Sequence, residues 1–384
     1  MLIYFDNAAT TMKKPEEVAQ AVCLALSSFG GVGRGVHPAS LAAGRAVFEA
    51  RERIAALLDV PSPNGVAFTL NATMALNIAL QGLVKPGSKI VSTAASHNSV
   101  LRPLFRLRDE LHCEIEIIPV QRDGSLDYSL YEQALSSGDV SLVAATHASN
   151  VTGDIYDAKR MAQAAHAAGA LFVLDAAQTA GSYPVSMQDM GADVLCFTGH
   201  KSLFGPQGTG GLCVRPSLEI HPLLEGGSGV HSFDERHPRF MPESLEAGTI
   251  NAHGLAGLAA GVSFLQKQGI AAVHKRLVML TDCFEQGVSA IEGVRIVGGR
   301  NSSGRCGIVS IQAEDIDSSY LADMLASEFD ICTRAGAHCA PLMHKCLGTE
   351  ESGVVRFSFS YFTTEEEIEQ GIKALQSCIT MARS

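Results

Sequence analysis

Positive charge is in short supply. Lysine and arginine together number 29 against 40 aspartates and glutamates, a net charge of -11. No Lys/Arg cluster breaks the sequence, so nothing offers the basic face that a nucleic-acid partner requires. Long apolar runs are missing too: the apolar stretches are strand-sized or interrupted by Gly and polar residues, and none is a candidate membrane span. The opening "MLIYFDNAATT" lacks a basic segment ahead of an apolar core, so no secretory signal is expected. The 10 cysteines run from Cys23 to Cys378 without the spacing of a disulfide framework. Free thiols in a reducing compartment, hence the cytoplasm, are the expectation. Internal repeats, low-complexity tracts and flexible linkers are absent as well.

What is present is a globular composition, 46% hydrophobic and 18% charged over 384 residues, enough for one large domain and a smaller one. Short apolar runs alternate with helical patterns: "GVAFTL" (65–70), "SKIVST" (88–93), "CEIEIIPV" (113–120), "SLVAATHAS" (141–149), "ALFVLDAA" (170–177) and "ADVLCFTG" (192–199). Continuously apolar strands separated by helices predict a parallel sheet covered on both faces. The reading is a large doubly wound, mostly parallel α/β domain over residues 15–250. After it, helices at 251–269 and 271–290 precede "VRIVGG", "CGIVSIQA" and "VVRFSFSYF", with a last helix from "TTEEEIEQGIKALQ". Residues 1–14 and 251–384 are therefore expected to make a smaller α+β part.

Ligands of open α/β sheets sit outside the carboxyl ends of the strands. Several such ends carry polar groups. "NATMALN" places the amides of Ala72 and Thr73 at a helix start, suited to phosphate or to an ordinary Thr cap. "LFVLDAAQ" sets Asp175 and Gln178 past a strand, where an acid caps a helix or pairs with a protonated ring nitrogen. His97 in "SHNSV" can stack on a planar ring, and Asn150 in "THASN" can donate to a ring hydroxyl. "FTGHKSLFGPQGTGG" places Lys201 among Thr198, His200 and Ser202 at the mouth of the same sheet. There a crowded amine can form a Schiff base, while a surface lysine in a Gly-rich turn is the plainer alternative. The glycines of "GGVGRG" (30–35) follow a helical segment rather than a strand, which argues against a dinucleotide fingerprint.

Taken together, "YFDNAATT", "THASN", "VLDAAQ", "FTGHKSLFGPQGTGG", "EAGTIN", "TRAGAHCAP" and "RFSFSYFTTEEEIE" resemble the class V aminotransferase branch of pyridoxal phosphate enzymes, and within it the cysteine desulfurase / selenocysteine lyase family. The likeness spans nearly the whole chain and implies a fold type I enzyme. It implies Lys201 as the cofactor-tethering lysine, Asp175 as partner of the ring nitrogen, Gln178 and Asn150 near its hydroxyl, and His97 as the stacking ring. Ala72, Thr73, Thr198 and His200 match the phosphate site. Thr249 matches a residue that reaches the neighbouring subunit's phosphate, so a homodimer with shared sites is implied. Arg356 matches the arginine that grips the carboxylate of L-cysteine, with Arg334, His338 and Asn150 beside it. Cys339 matches the persulfide-forming cysteine, on a short loop closer to the family's second group. The implied activity removes sulfur from cysteine, with selenocysteine also a candidate, for a sulfur-acceptor protein or scaffold such as one serving iron–sulfur cluster assembly.

Two positions depart from the family pattern: Ala72 where a second threonine is common, and Ser96 where an acid is usual. Neither removes a catalytic group. Two alternatives follow from the residues. A transaminase, epimerase or β-lyase of the same branch would use Lys201 and Asp175 without Cys339. A zinc site could be drawn from His338, Cys339, His344 and Cys346, though its spacing is atypical and it leaves Lys201, Asp175 and Arg356 without a role; no metal is expected.

Overall fold

The computed structural model describes residues 2–33, 35–136, 138–299 and 304–383. A short strand, β1 (Ile3–Tyr4), opens the chain, and seven strands follow in one large sheet. These are β2 (Val66–Thr69), β3 (Lys89–Thr93), β4 (Glu114–Ile118), β5 (Val140–Thr146), β6 (Leu171–Asp175), β7 (Val194–Thr198) and β8 (Gly210–Val214). Their spatial order is β2-β8-β7-β6-β5-β3-β4, all parallel except β8, which runs against both neighbours. All six apolar runs read from the sequence form strands here.

The strand of the large sheet that the sequence did not announce is β8. Its first two residues, Gly210 and Gly211, resemble loop glycines, yet each lets a neighbour approach closely. A Cβ at Gly210 would lie 2.7 Å from the Asn71 backbone, and one at Gly211 would lie 2.5 Å from the Ala67 carbonyl. Glycine inside a strand commonly marks such an approach.

Helices cover both faces. They are α1 (Glu16–Ser28), α2 (Pro38–Leu57), α3 (Ala72–Leu83), α4 (Asn98–Leu111), α5 (Tyr128–Leu135), α6 (Ala158–Ala167) and α7 (Met187–Met190), then α8 (Ala252–Gln268) and α9 (Ile270–Val288). Along β6, Phe172 and Leu174 enter one apolar core while Val173 enters the other; along β7, Leu195 and Phe197 oppose Val194 and Cys196 in the same way. Leu76 and Leu80 of α3 with Leu104 of α4 fill one side, and Ile54 of α2, Met161 of α6 and Leu258 of α8 fill the other. Burial of alternate residues on opposite faces is why these strands read as unbroken apolar runs.

Gly269, at φ 80°, is the single residue between α8 and α9. That left-handed joint favours glycine. The chain then builds a four-stranded antiparallel sheet from β9 (Val294–Val297), β10 (Ile308–Ala313), β12 (Arg334–Gly336) and β13 (Val354–Ser358), in the order β12-β13-β10-β9. β11 (Ile331–Cys332) pairs instead with β1. Helices α10 (Ser318–Phe329), α11 (Pro341–Leu347) and α12 (Glu365–Arg383) complete this part. Phe5 of the N-terminal segment packs edge-on against Phe284 of α9 and Phe359, tying the chain's start to the small sheet.

Candidate active site

The carboxyl ends of the parallel strands meet the small sheet at a cavity of about 290 Å³. Asn71, Ala72 and Thr73 follow β2; His97 follows β3; Asn150 follows β5; Asp175 closes β6; Thr198, His200 and Lys201 leave β7. Arg334, His338, Cys339 and Arg356 face them from the small sheet and its loop. Every site candidate read from the sequence lines this one cavity except Thr249, which is exposed and borders a separate apolar cavity with Leu70, Leu223 and Leu224.

Local chemistry differs from the sequence reading in two places. The cap of α3 is Asn71, whose side chain accepts from the Met74 N–H at 3.0 Å, so Thr73 is not the cap and its residue stays exposed in the first turn. Asn150 uses one of its two amide N–H groups on the small sheet's loop. Its Nδ2 donates to the His338 carbonyl at 2.7 Å, leaving Oδ1 buried without a partner. Reversing the amide would set oxygen against oxygen, so this orientation stands and Oδ1 is an acceptor without a partner.

Burial dominates the electrostatics. Lys201 is pushed down to about 8, first by burial and further by Arg356 and Arg334, against the pull of Asp175. Asp175 rises above its ordinary value because of burial, opposed by the Ala177 N–H that its Oδ1 accepts at 3.0 Å. His97 falls to about 4 by burial and then by the cations Lys201, Arg356, Arg102 and Arg334. Its Nδ1 accepts from the Ser99 N–H at 3.0 Å and caps α4, so the neutral ring carries its proton on Nε2. His200 falls to about 4 by burial, with Lys201 and Lys14 adding to the fall. Thr198 Oγ1, His200 Nδ1, His338 Nδ1 and Arg356 Nε are buried without partners. Gathered around one cavity, these unpaired donors and acceptors are available to a ligand or to water.

Cys339 is exposed, whereas Cys196, Cys213 and Cys306 are buried, as their apolar surroundings predict. Its loop is clipped at two successive carbonyls: His338 O accepts from Asn150 Nδ2, and Cys339 O accepts from the Asn98 N–H at 2.8 Å. Both residues have positive φ, 50° and 56°. His338 Nε2 meets the Arg334 carbonyl at 3.1 Å, and burial pushes this ring down to about 3. Among the described residues no group of three His, Cys, Asp or Glu side chains could hold a metal.

The chain matches the profile of the aminotransferase class-V family over residues 3–370. The chain belongs to that family. A probable cysteine desulfurase of Methanothermobacter thermautotrophicus is 33% identical over 374 residues, covering 96% of this chain and 92% of that one. Among solved structures, an apo cysteine desulfurase from Thermococcus onnurineus NA1 superposes with a TM-score of 0.93 at 34% identity, covering 99% of this chain and 95% of that one. The cysteine desulfurase CsdA from Escherichia coli, an S-sulfonic acid form, gives 0.90 at 28% identity over the same shares. The large mostly parallel sheet with its helices is thus the fold of these enzymes.

In this class-V chain, sequence reasoning overlooked Asp6. It lies inside the quoted "YFDNAATT", and its Oδ1 accepts from Arg356 Nη2 at 2.9 Å. Arg356 Nη1 donates to the Asn150 carbonyl at 3.0 Å, so two fixed acceptors orient a guanidinium that is 2% exposed. A lone acid beside a short strand gives no local sign of that partner 350 residues away.

Proposed function

We propose that this chain is a cysteine desulfurase, a pyridoxal-phosphate-dependent enzyme that moves sulfur from L-cysteine to Cys339 and releases L-alanine. The observation that carries the proposal is one cavity lined by a depressed-pKa lysine, a buried acid, a buried arginine and an exposed thiol. The identity to cysteine desulfurases over almost the full length supports the same reading.

The residues fit the cofactor. Phosphate suits the first turn of α3, where Thr73 is free, together with the unpartnered Thr198 Oγ1 and His200 Nδ1. Asp175 suits a protonated ring nitrogen, which would offset the burial that now raises its pKa. The orphaned Asn150 Oδ1, with Gln178 beside it, suits a ring hydroxyl, and the uncharged His97 can lie on a cationic ring without repulsion. Thr249 belongs to the phosphate site of a second subunit in a homodimer.

When bound, pyridoxal phosphate supplies an electron sink that acidifies the Cα–H of an amino acid and weakens its Cβ–S bond. Lys201 Nζ, largely deprotonated above pH 8, holds and returns the Cα proton. Arg356, set by Asp6 and the Asn150 carbonyl, binds the substrate carboxylate. Cys339 Sγ attacks the substrate sulfur as a thiolate. An S–S bond forms while Cβ–S breaks, its electron pair stays on Cβ, and a proton completes the methyl group of alanine. The persulfide, on an exposed cysteine, is open to an acceptor protein or small thiol.

Incubation with L-cysteine tests this. The wild type should release alanine and carry one persulfide per chain. Cys339→Ala should keep the cofactor's visible absorbance and form no persulfide. Alanine release that persists in Cys339→Ala would remove the thiol from the mechanism, and no alanine from wild type would end the desulfurase reading. Selenocysteine run in parallel reads the preference between the two substrates.

A further inference from the structure

The turn that bears Asn150 is gripped from the small sheet at four consecutive carbonyls. Asn150 O accepts from Arg356 Nη1 at 3.0 Å, and Val151 O accepts from Ser310 Oγ at 2.5 Å. Thr152 O accepts from Arg305 Nη2 at 2.6 Å and Nε at 3.2 Å, while Gly153 O accepts from the Cys306 N–H at 2.8 Å. The turn's own side closes with Ser149 Oγ accepting from the Val151 and Thr152 N–H groups. Gly153, at φ 80°, has no room for a side chain, since a Cβ there would lie 3.0 Å from both the Cβ and the carbonyl of Ile308.

Arg305 is the centre of this seam. It is 1% exposed, donates also to the Ile308 carbonyl at 3.0 Å, and forms an ion pair with Glu285 of α9. A buried guanidinium with a fixed carboxylate and two backbone carbonyls is rigid, because releasing any partner leaves an unpaired charge or dipole away from water. Thr152 is two residues from Asn150, and the Asn150 side chain in turn holds the loop of Cys339. One clamp therefore bears on the group facing the cofactor hydroxyl, on the arginine for the substrate carboxylate, and on the thiol loop.

We propose that Arg305, held by Glu285, is a positioning residue of the active site: it locks the 149–154 turn so that Asn150 and Arg356 keep one fixed geometry. This rests on the desulfurase reading for the substrate that Arg356 meets, though not for the clamp itself. The seam thereby also predicts that substrate enters without the small sheet moving at this turn.

The test uses Arg305→Met with Glu285→Gln, which keeps volume and removes the guanidinium with its nearest carboxylate. Asp154, whose Oδ1 lies 3.7 Å from Arg305 Nε, keeps its charge, and Asp154→Asn added to the same background is the control for it. Amide hydrogen exchange in the cofactor-free protein should quicken in the peptide spanning 149–155 and at Cys306, while the peptides of β6 and β7 stay protected. In the loaded enzyme, KM for cysteine should rise about tenfold or more, the effect of misplacing one charge-assisted contact, with kcat changed less. Restoring the guanidinium with Glu285→Gln alone should recover most of the exchange protection. A double variant that folds with wild-type exchange at the turn and wild-type KM overturns the proposal, leaving Arg305 a core residue only. Should the double variant fail to fold, Arg305→Lys decides, since a single ammonium keeps the charge but cannot span Glu285 and both carbonyls. Unchanged exchange at the turn and unchanged KM in that variant count against the clamp. Absence of alanine from the wild type defeats the desulfurase reading alone, and the exchange measurement then judges the clamp by itself.

Discussion

At the scale of single residues the site is governed by burial. Lys201 has an ordinary value of 10.5 and sits at about 8, because a buried ammonium loses its hydration and meets Arg356 and Arg334. Only the uncharged amine condenses with an aldehyde. Loading of cofactor-free protein with pyridoxal phosphate, followed by visible absorbance, should quicken about tenfold from pH 7 to pH 9 as the amine deprotonates. A flat profile would mean that Lys201 is not the group reacting. The same shift has a consequence for stability. Between about 8 and 10.5 the unfolded chain binds the proton that the folded one has released. Stability of the cofactor-free protein should therefore rise with pH across that window, and Lys201→Met should flatten the slope. These groups were legible in the sequence because each follows an apolar strand, so a polar residue there stands out. Arg305 and Asp6 were not, since their partners lie far along the chain. Glu285 did leave a trace: it falls in step with Val273, Leu277, Thr281, Phe284 and Val288, an acid on the apolar face of a helix.

At the scale of elements, the loop carrying Cys339 is held at two successive carbonyls, one by the Asn150 side chain and one by a backbone N–H. The Asn98 N–H that binds the Cys339 carbonyl belongs to the first residue of α4. Proline is well tolerated at a first helical position, and His97 before it already has the extended conformation, φ -71° and ψ 159°, that a residue preceding proline prefers. Asn98→Pro therefore removes one hydrogen bond and little else. Global stability should fall by about 1 kcal/mol or less in a denaturant titration. The rate of persulfide formation in a rapid-quench experiment should fall about tenfold or more, as a thiol freed from one of its two clips spends less time aligned with the substrate sulfur. An unchanged rate would show that the Asn150 clip suffices. The elements themselves divide in the same way between legible and hidden. The buried parallel strands announced themselves by composition. β8, β11 and β12 did not: β8 begins with two glycines, β11 has two residues, and β12 sits in a stretch of small and polar residues that only pairing with β13 makes a strand.

At the scale of the molecule, Thr249 is the one site candidate outside the cavity. It lies by a separate cavity of about 330 Å³, near Leu70, Leu223 and Leu224, which are 57%, 37% and 53% exposed. Exposed leucines grouped around a cavity mark a surface suited to burial against another molecule. The proposed homodimer accounts for both facts, because a second subunit would cover the leucines and bring Thr249 to its partner's phosphate site. Leu224→Asp places a charge in that contact and should shift the protein from dimer to monomer in light scattering. The monomer should then lose pyridoxal phosphate about tenfold faster on dialysis, the loss expected for one hydrogen bond to a charged group. Thr249→Ala separates assembly from ligation: it should remain a dimer yet release the cofactor faster. A Leu224→Asp monomer that keeps the cofactor as tightly as the wild type would show that each chain completes its own phosphate site, and Thr249 would lose its role.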